Sequence, residues 1–355
     1  MDLLRAIAIT CIILGHSKPH SGIFEIRNFN VVLMMLLLGH SFYLSSAEKN
    51  ISYPQYVKKR FQRLVVPAWT FLTLFFILFY FVAVATGQKY YFSGAKIMQS
   101  YALTNGIGYV WIIKISFLVA LLSPFILKIS KRVKSNLLYY LLIAGSYAGY
   151  ALLLYVHDAL PVVYKALDNI NHYLDGVART LYAEVIIYGV SYSFIVALGI
   201  RLTKLSQREV TGACLGFLGL FLFLSYQNDF STVQAFKYPP QLYYLSYGLF
   251  VSFLLYRLLD YTFFKKFGNS QLIIFLSRNS AWVYFWHIIF VYYIRLFGAS
   301  LPSYLATTSS GRFFFIMAGA LLVTYSHQQI KELRQSYEDK AILPAGTPMP
   351  HASNI

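Results

Sequence analysis

Arg5 and His16, eleven residues apart, are side chains of the first apolar stretch that could do chemistry. On an α-helix they lie within about 20° of each other, with His16 about 16 Å further along the axis. An ionisable group in a membrane span costs roughly 2.5–3.5 kcal/mol, so such a stripe faces protein or a water-filled cavity. Imidazole can take a proton from a hydroxyl group, and Asp2 is placed to pair with Arg5. The alternatives are an interfacial anchor at Arg5 and a packing residue at His16.

Arg60 and Arg63 form a second group, in the sequence Tyr-Val-Lys-Lys-Arg-Phe-Gln-Arg-Leu-Val-Val-Pro that ends at Pro67. Three residues apart on a helix, their guanidinium groups can meet one polyanion. Phosphate is the natural partner, because arginine binds it through paired hydrogen bonds. The alternative is an anchor for anionic lipid head groups.

Polar side chains recur between Arg278 and His287. If a helix starts at Asn279, which offers an N-cap, the side chains of Ser280, Tyr284 and His287 share one face. Arg278 would lie on the opposite face of a continuous helix, which favours a helix start at this point. The shared face could shape a binding site or stabilise developing negative charge, and a hydrogen-bonded helix contact is the alternative.

Tyr238 is followed by two prolines, Pro239 and Pro240, just before a later apolar stretch. A proline pair cannot continue a helix from the preceding turn, but it can begin one. The segment is therefore either part of a site at the entrance to that stretch or only a helix boundary.

The elements that must position these residues are membrane helices. The chain has 355 residues, of which 58% are apolar and 12% charged, and its mean hydropathy is +0.56. Soluble domains are nearer 45–50% apolar and about 25% charged, so the composition excludes a soluble enzyme and predicts an all-α integral membrane protein. With about 20 residues per span, about ten spans are expected. They lie approximately at 1–17, 28–46, 65–86, 107–127, 136–156, 176–200, 210–226, 240–258, 279–298 and 312–327.

The net charge of +17 would suit a nucleic-acid partner in a soluble protein, but here we expect no nucleic acid. Most loop lysines and arginines follow even-numbered spans, which predicts that both termini are cytoplasmic. The segment 328–355 is polar, then rich in Pro and Gly, and is predicted to be a disordered cytoplasmic tail. Cys11 and Cys214 fall inside apolar stretches, so no disulfide is expected, and no cluster has the spacing of metal ligands.

The combination of motifs resembles the membrane-bound acyltransferase family 3, bacterial proteins that O-acylate cell-surface polysaccharides and related acceptors. The first-span signature of that family is similar to the segment with Arg5 and His16, and its Arg-x-x-Arg motif is similar to Arg60 and Arg63. The Tyr-Pro-Pro sequence and the polar segment that ends at His287 also look like family segments. The resemblance runs from the first residue to about residue 327, which suggests one transmembrane acyltransferase domain over 1–327.

The resemblance implies a multi-pass protein of the bacterial inner membrane with acyl-CoA, by default acetyl-CoA, as donor and no metal. The acceptor would be a hydroxyl group of a cell-surface polysaccharide or of its lipid-linked precursor. In that scheme Arg60 and Arg63 hold the CoA phosphates, His16 is the general base, and Arg5 lines the channel. Membrane lipid surrounds the protein, which is expected to act as a monomer or a homo-oligomer. Residues assigned to the acceptor side or to its support are Tyr238, Arg278, Asn279, Ser280, Tyr284 and His287.

Two other functions stay open at this point. A transporter or flippase of a polysaccharide or lipid-linked sugar also needs about ten spans, although inverted repeats and helices broken at mid-membrane are not evident. A structural subunit of a surface-polymer assembly would explain the hydrophobicity but not the polar groups. His40 departs from the apolar pattern of the family, and no role is assigned to it or to Lys114, Arg179 and Glu184. Transfer through an acyl-enzyme is an alternative to direct transfer.

Overall fold

The computed structural model describes residues 1–46, 52–104, 106–159 and 180–342, and every regular element in these ranges is helical, as predicted. The first seven helices are α1 (Asp2–His16), α2 (Ser21–Ile26), α3 (Asn30–Ser46), α4 (Tyr53–Ala85), α5 (Gly94–Tyr101), α6 (Trp111–Arg132) and α7 (Asn136–Ala159). A π-helical segment, Thr180–Ile187, then precedes α8 (Tyr188–Arg201), α9 (Gln207–Gln227), α10 (Leu242–Leu258) and α11 (Thr262–Gly268). The last four are α12 (Gln271–Arg278), α13 (Ser280–Phe297), α14 (Ser303–Thr307) and α15 (Ser309–Ile342).

Seven helical segments of the described chain are long and apolar enough to cross a membrane. The pair α10 and α11, bent by 93°, would be an eighth span if it is counted as one. The predicted number of ten spans is therefore not confirmed, although the multi-pass membrane character is. The helix α1 is not among the seven, because its 15 residues fall short of the roughly 20 that a span requires.

The short helix α1 lies against five other helices, α3, α11, α12, α13 and α15. Its apolar side chains are buried among them, including Leu4, Ile9 and Ile13. A helix that is surrounded on several sides holds its polar side chains in fixed positions, because protein rather than lipid encloses them. The first helix thereby fixes the positions of both Arg5 and His16.

Two glycines allow α3 and α8 to approach closely. A Cβ atom added to Gly39 would lie 2.2 Å from the carbonyl oxygen of Val196, and one added to Gly199 would lie 2.1 Å from that of Leu36. Small residues at a helix contact let two backbones come together in the way that is common in membrane proteins. This contact fixes α3, which carries His40 and Ser41, against the centre of the molecule.

Arg201, at the end of α8, connects that helix by hydrogen bonds to the segment where α6 ends and α7 begins. Its side chain is 1% exposed and donates hydrogen bonds to the carbonyl oxygens of Ser130, Val133 and Lys134 at 2.6–2.8 Å. It also donates to Oδ1 of Asn136 at 2.7 Å. Four donated hydrogen bonds compensate for the burial of the guanidinium group, since a buried charge needs partners.

Two predicted boundaries and one predicted helix cap differ from the structure. The span expected to start at residue 65 is the end part of α4, which begins at Tyr53, so the Arg-x-x-Arg motif is helical. The predicted break near Asn279 is confirmed, but its amide donates to the carbonyl oxygen of Phe275 at 3.0 Å instead of capping α13. The tail predicted to be disordered from residue 328 is helical as far as Ile342, and residues 343–355 lie outside the described chain.

Candidate active site

His16 is the last residue of α1 and is half-buried. Its ring is stacked on that of His287 with 5.3 Å between the centroids, and the ring of Tyr109 meets it edge-on at 4.7 Å. The residues come from α1, α13 and the connection before α6. Thus the predicted base and one residue predicted for the acceptor side lie in direct ring contact.

The ring of His287 is buried and oriented by its own helix. Its Nδ1 atom lies at hydrogen-bond distance from the carbonyl oxygen of Tyr284, while its Nε2 atom has no hydrogen-bond partner in the described chain. The hydroxyl group of Tyr284 donates to the carbonyl oxygen of Tyr109. With the proton on Nδ1, the lone pair is on Nε2, so the buried imidazole offers an acceptor beside His16.

A cavity of about 550 Å³ opens beside these rings. His16 and Tyr109 form part of its wall, and Val291, Ile294 and Ile316 provide an apolar surface. Three cationic side chains also line the cavity, those of Lys18, Arg295 and Arg312. The volume is that of a ligand site rather than a packing defect.

Arg5 lies at the other end of α1, where it joins three helices. Its guanidinium group is 3.6 Å from the carboxylate of Asp2, which confirms the predicted pair, and donates to the hydroxyl group of Ser41 at 2.5 Å. The hydroxyl group of Ser277, in α12, donates to Asp2 at 2.5 Å. Since Arg5 and His16 are about 16 Å apart along one helix, they do not belong to a single contact site.

Arg60 and Arg63 lie at the same end of the molecule as Arg5. Arg60 is half-buried, with its guanidinium carbon 5.4 Å from the ring centre of Phe42 and 5.0 Å from that of Tyr56, and Phe42 follows Ser41 in α3. Arg63 is exposed. In the described chain neither arginine lines the cavity beside His16, so the structure brings this motif close to Arg5 but not to the histidine.

The residues predicted for the acceptor side divide into two groups. Tyr284 and His287 lie at the cavity end of α1. Arg278, Asn279 and Ser280 lie at the opposite end, next to Ser277 and its hydrogen bond to Asp2. The two helices α12 and α13 meet beside the start of α1, so Arg278 is separated from His287 by the helix start that was expected at Asn279.

Tyr238 precedes α10 and has its ring 5.4 Å from that of Trp111, in an edge-on contact. The residue is 47% exposed. In the described chain the ring of Tyr238 makes no contact with that of His16. The preceding residue, Lys237, is buried and lies within electrostatic range of His16. The Tyr-Pro-Pro segment therefore lies at the same end of α1 as His16, because Lys237 directly precedes it in the sequence.

The family model of the acyltransferase domain matches residues 1–327. The chain belongs to this acyltransferase family. No curated protein and no solved structure shows significant similarity to the chain. The family assigns acyl transfer to the domain that contains both ends of α1, and it confirms the membrane acyltransferase predicted from the motifs.

Sequence reasoning missed two buried cations of the acyltransferase, Arg27 and Lys237, which are 7% and 4% exposed. The guanidinium group of Arg27 packs on Gly15, where an added Cβ atom would be 2.6 Å from its Cζ atom. Burial, helped by the charge of Arg27 and opposed by that of Glu25, lowers the pKa of Lys237 to about 7. Both residues lie in connections between apolar stretches, where basic residues are common, and a basic residue within an apolar context was the available signal.

Other polar residues of the acyltransferase lie outside the cavity wall. His40 is buried beside Arg5, and its Nδ1 atom has no hydrogen-bond partner in the described chain. Lys114 lies in α6 and is half-buried. Arg179 and the side chain of Glu184 lie outside the described residues. Within those residues, no group of three His, Cys, Asp or Glu side chains is arranged to hold a metal ion.

Proposed function

We propose that this acyltransferase moves an acyl group, in the simplest case acetyl, from acyl-CoA to a hydroxyl group of a cell-surface polysaccharide or its lipid-linked precursor, with His16 as general base. The observation that supports the proposal best is the position of the His16 ring, on the wall of a cavity of about 550 Å³ and in contact with His287. A ligand-sized space beside an imidazole is what base-assisted acyl transfer requires.

A sugar hydroxyl is a weak nucleophile at neutral pH, so its attack on a thioester needs a base within hydrogen-bond reach. In this scheme the hydroxyl oxygen bonds to the acyl carbon, the carbon–sulfur bond breaks, and His16 takes the hydroxyl proton. The CoA thiolate leaves and takes this proton from the His16 imidazolium, which gives the free thiol and restores the base. The stacked ring of His287 and the edge of Tyr109 hold the His16 ring in place for this step.

The donor would enter at the other end of α1. Arg60 and Arg63 can hold the phosphate groups of CoA, and the contact of Arg60 with Phe42 connects this motif to α3 and thereby to Arg5. From there the pantetheine arm needs to cover the roughly 16 Å that separates Arg5 from His16 along the helix. Arg5 would orient the donor or compensate charge on this path.

The test is an assay of purified protein in lipid nanodiscs with acetyl-labelled acetyl-CoA and a panel of glycans. We expect labelled ester that alkali releases from the glycan, together with one free CoA thiol per ester. If no ester forms on any glycan while sealed vesicles take up a glycan unchanged, the protein is a transporter and the proposal is wrong.

A further inference from the structure

The wall of the cavity beside His16 carries three positively charged side chains. Lys18, Arg295 and Arg312 all contribute to its wall. They come from three parts of the chain, namely the connection after α1, the end of α13 and the start of α15. None of the described residues that line the cavity is acidic. The wall therefore presents several donors and a net positive field to whatever enters.

Contacts between the connection after α1 and α15 hold two of these cations in place. The backbone of Lys18 is left-handed, with φ at 54°, and its carbonyl oxygen accepts a hydrogen bond of 2.7 Å from the Ser309 hydroxyl group. Arg312 donates to the carbonyl oxygen of Ser17 at 3.5 Å. The left-handed backbone conformation is unfavourable for residues other than glycine, so contacts with the surrounding residues must maintain it at Lys18.

The buried cations behind the cavity add to the same field. Arg27 packs on Gly15, a residue of the cavity wall, and Lys237 lies within electrostatic range of His16. The carboxylate of Glu25 interacts electrostatically with both Arg27 and Lys237. One negative charge therefore balances only one of the two positive charges. A cleft lined by one sign of charge concentrates ligands of the opposite sign.

We propose that the acceptor is an acidic glycan whose carboxylate or phosphate group binds to Arg295, Lys18 and Arg312 while the neighbouring hydroxyl group meets His16. This inference rests on the proposed function and names the substrate class of the same site. Guanidinium groups bind carboxylate and phosphate through paired, charge-assisted hydrogen bonds. The apolar surface of Val291 is suited to the non-polar face of a sugar ring.

The negative group could belong to the glycan itself or to the diphosphate of a lipid carrier, and a comparison of three acceptors separates these sources. They are a neutral oligosaccharide, a uronic-acid oligosaccharide of the same length, and the neutral oligosaccharide on polyprenyl diphosphate. For each acceptor, KM would be measured at saturating acetyl-CoA, and binding without donor would be measured by calorimetry. We expect the uronic-acid oligosaccharide to bind at least tenfold more tightly than the neutral one, with a difference that shrinks at 0.5 M salt.

The variants Arg295→Gln and Arg295→Lys test the role of the wall. Arg295→Gln is expected to reduce the preference for the acidic oligosaccharide about tenfold, and Arg295→Lys to restore part of it. Lys265→Gln, which removes an exposed cation from α11, is the control and should leave the preference unchanged. A preference for the diphosphate-linked acceptor alone would support an anion site and assign the charge to the lipid carrier.

Equal affinity for all three acceptors in the wild type, or a preference for the charged acceptors that Arg295→Gln does not change, would overturn the inference. In that case, continued esterification of the neutral oligosaccharide would leave the proposed function standing. Conversely, an absence of transfer to all acceptors would contradict the proposed function, while calorimetry would still decide whether the cavity prefers anions.

Discussion

At the scale of single residues, the pairing of His16 with His287 carries most of the chemistry proposed for this protein. The two rings are stacked at 5.3 Å, and Tyr284, one turn before His287, anchors the connection that carries Tyr109. The spacing of Ser280, Tyr284 and His287 in the sequence predicted that these three side chains share a face of α13. That Tyr109 would complete the cluster could not be predicted, since it comes from a connection whose path depends on tertiary packing.

Replacement of the proposed base should stop the reaction without unfolding the protein. His16→Gln is expected to lower kcat by at least about 100-fold, which is the usual contribution of a general base. The measurement is ester formation from labelled acetyl-CoA, normalised to protein in the membrane. His20→Asn is the matched control, because His20 is exposed and caps α2, and asparagine preserves the cap. Activity of His16→Gln near that of the control would exclude His16 as the base.

The buried Lys237 makes stability depend on pH. Its pKa is lowered to about 7 by burial first and by Arg27 second, whereas in the unfolded chain it is about 10.4. Between these values the unfolded state holds the extra proton, so the free energy of unfolding rises with pH, by at most about 1.4 kcal/mol per unit. Below pH 7 both states are protonated and the cost of burying the charge is fully present.

The melting temperature of the detergent-solubilised protein, measured from pH 6 to pH 10 beside Lys237→Met, tests this dependence. We expect the variant to melt several degrees higher at pH 6, and the difference to narrow as the pH rises above 7. A difference that stays constant across this range would show that Lys237 is charged throughout in the folded protein.

At the scale of helices, the apolar patterns predicted most segments that the structure contains. The break at Asn279 was predictable because the apolar stretch from Gln271 is too long for one span at ordinary tilt. The start of α4 at Tyr53 was missed because its first turns are polar, and hydropathy marks only the part that is surrounded by apolar residues. The continuation of α15 to Ile342 was missed for the same reason, since a polar sequence can be helical without being buried.

The close contact of α3 with α8 should be sensitive to a single methyl group. Gly39→Ala places a Cβ atom 2.2 Å from the Val196 carbonyl oxygen, which is backbone and cannot rotate away. Separation of the helices is expected to cost about 1–3 kcal/mol and to lower the melting temperature. Gly212→Ala is the control, because nothing lies within 4 Å of its added Cβ atom and alanine favours helix. Equal melting temperatures would show that the helices adjust without cost.

At the scale of the whole molecule, α1 joins two sites at opposite ends. The Asp2, Arg5, Ser41 and Ser277 network lies at its start, beside the helix that Arg60 contacts, and the cavity lies at its end. The motifs predicted the pair of Asp2 with Arg5 and functional roles for His16 and His287, whereas the contacts made by Ser41 and Tyr109 depend on tertiary packing and could not be predicted. An acyltransferase that takes its donor on one side of a membrane and its acceptor on the other needs this division.

The donor end can be tested by a comparison of two basic pairs on one helix. The double variant Arg60→Gln/Arg63→Gln is expected to weaken acetyl-CoA binding about tenfold or more, because it removes the two guanidinium groups that would hold phosphate. Lys58→Gln/Lys59→Gln removes the same charge from exposed positions of α4 and should change the affinity little. An unchanged acetyl-CoA affinity of the arginine variant, measured by calorimetry, would contradict the donor role and assign the arginines to lipid anchoring, and equal losses in both variants would show an unspecific effect of charge.

The most direct test of the account is transfer across a sealed membrane. Purified protein is reconstituted in vesicles that enclose labelled acetyl-CoA, and an impermeant glycan is added outside, with His16→Gln vesicles as the control. We predict labelled, alkali-labile ester on the external glycan in wild-type vesicles and none in the control. Ester that forms only when acetyl-CoA is supplied on the same side as the glycan would contradict the account.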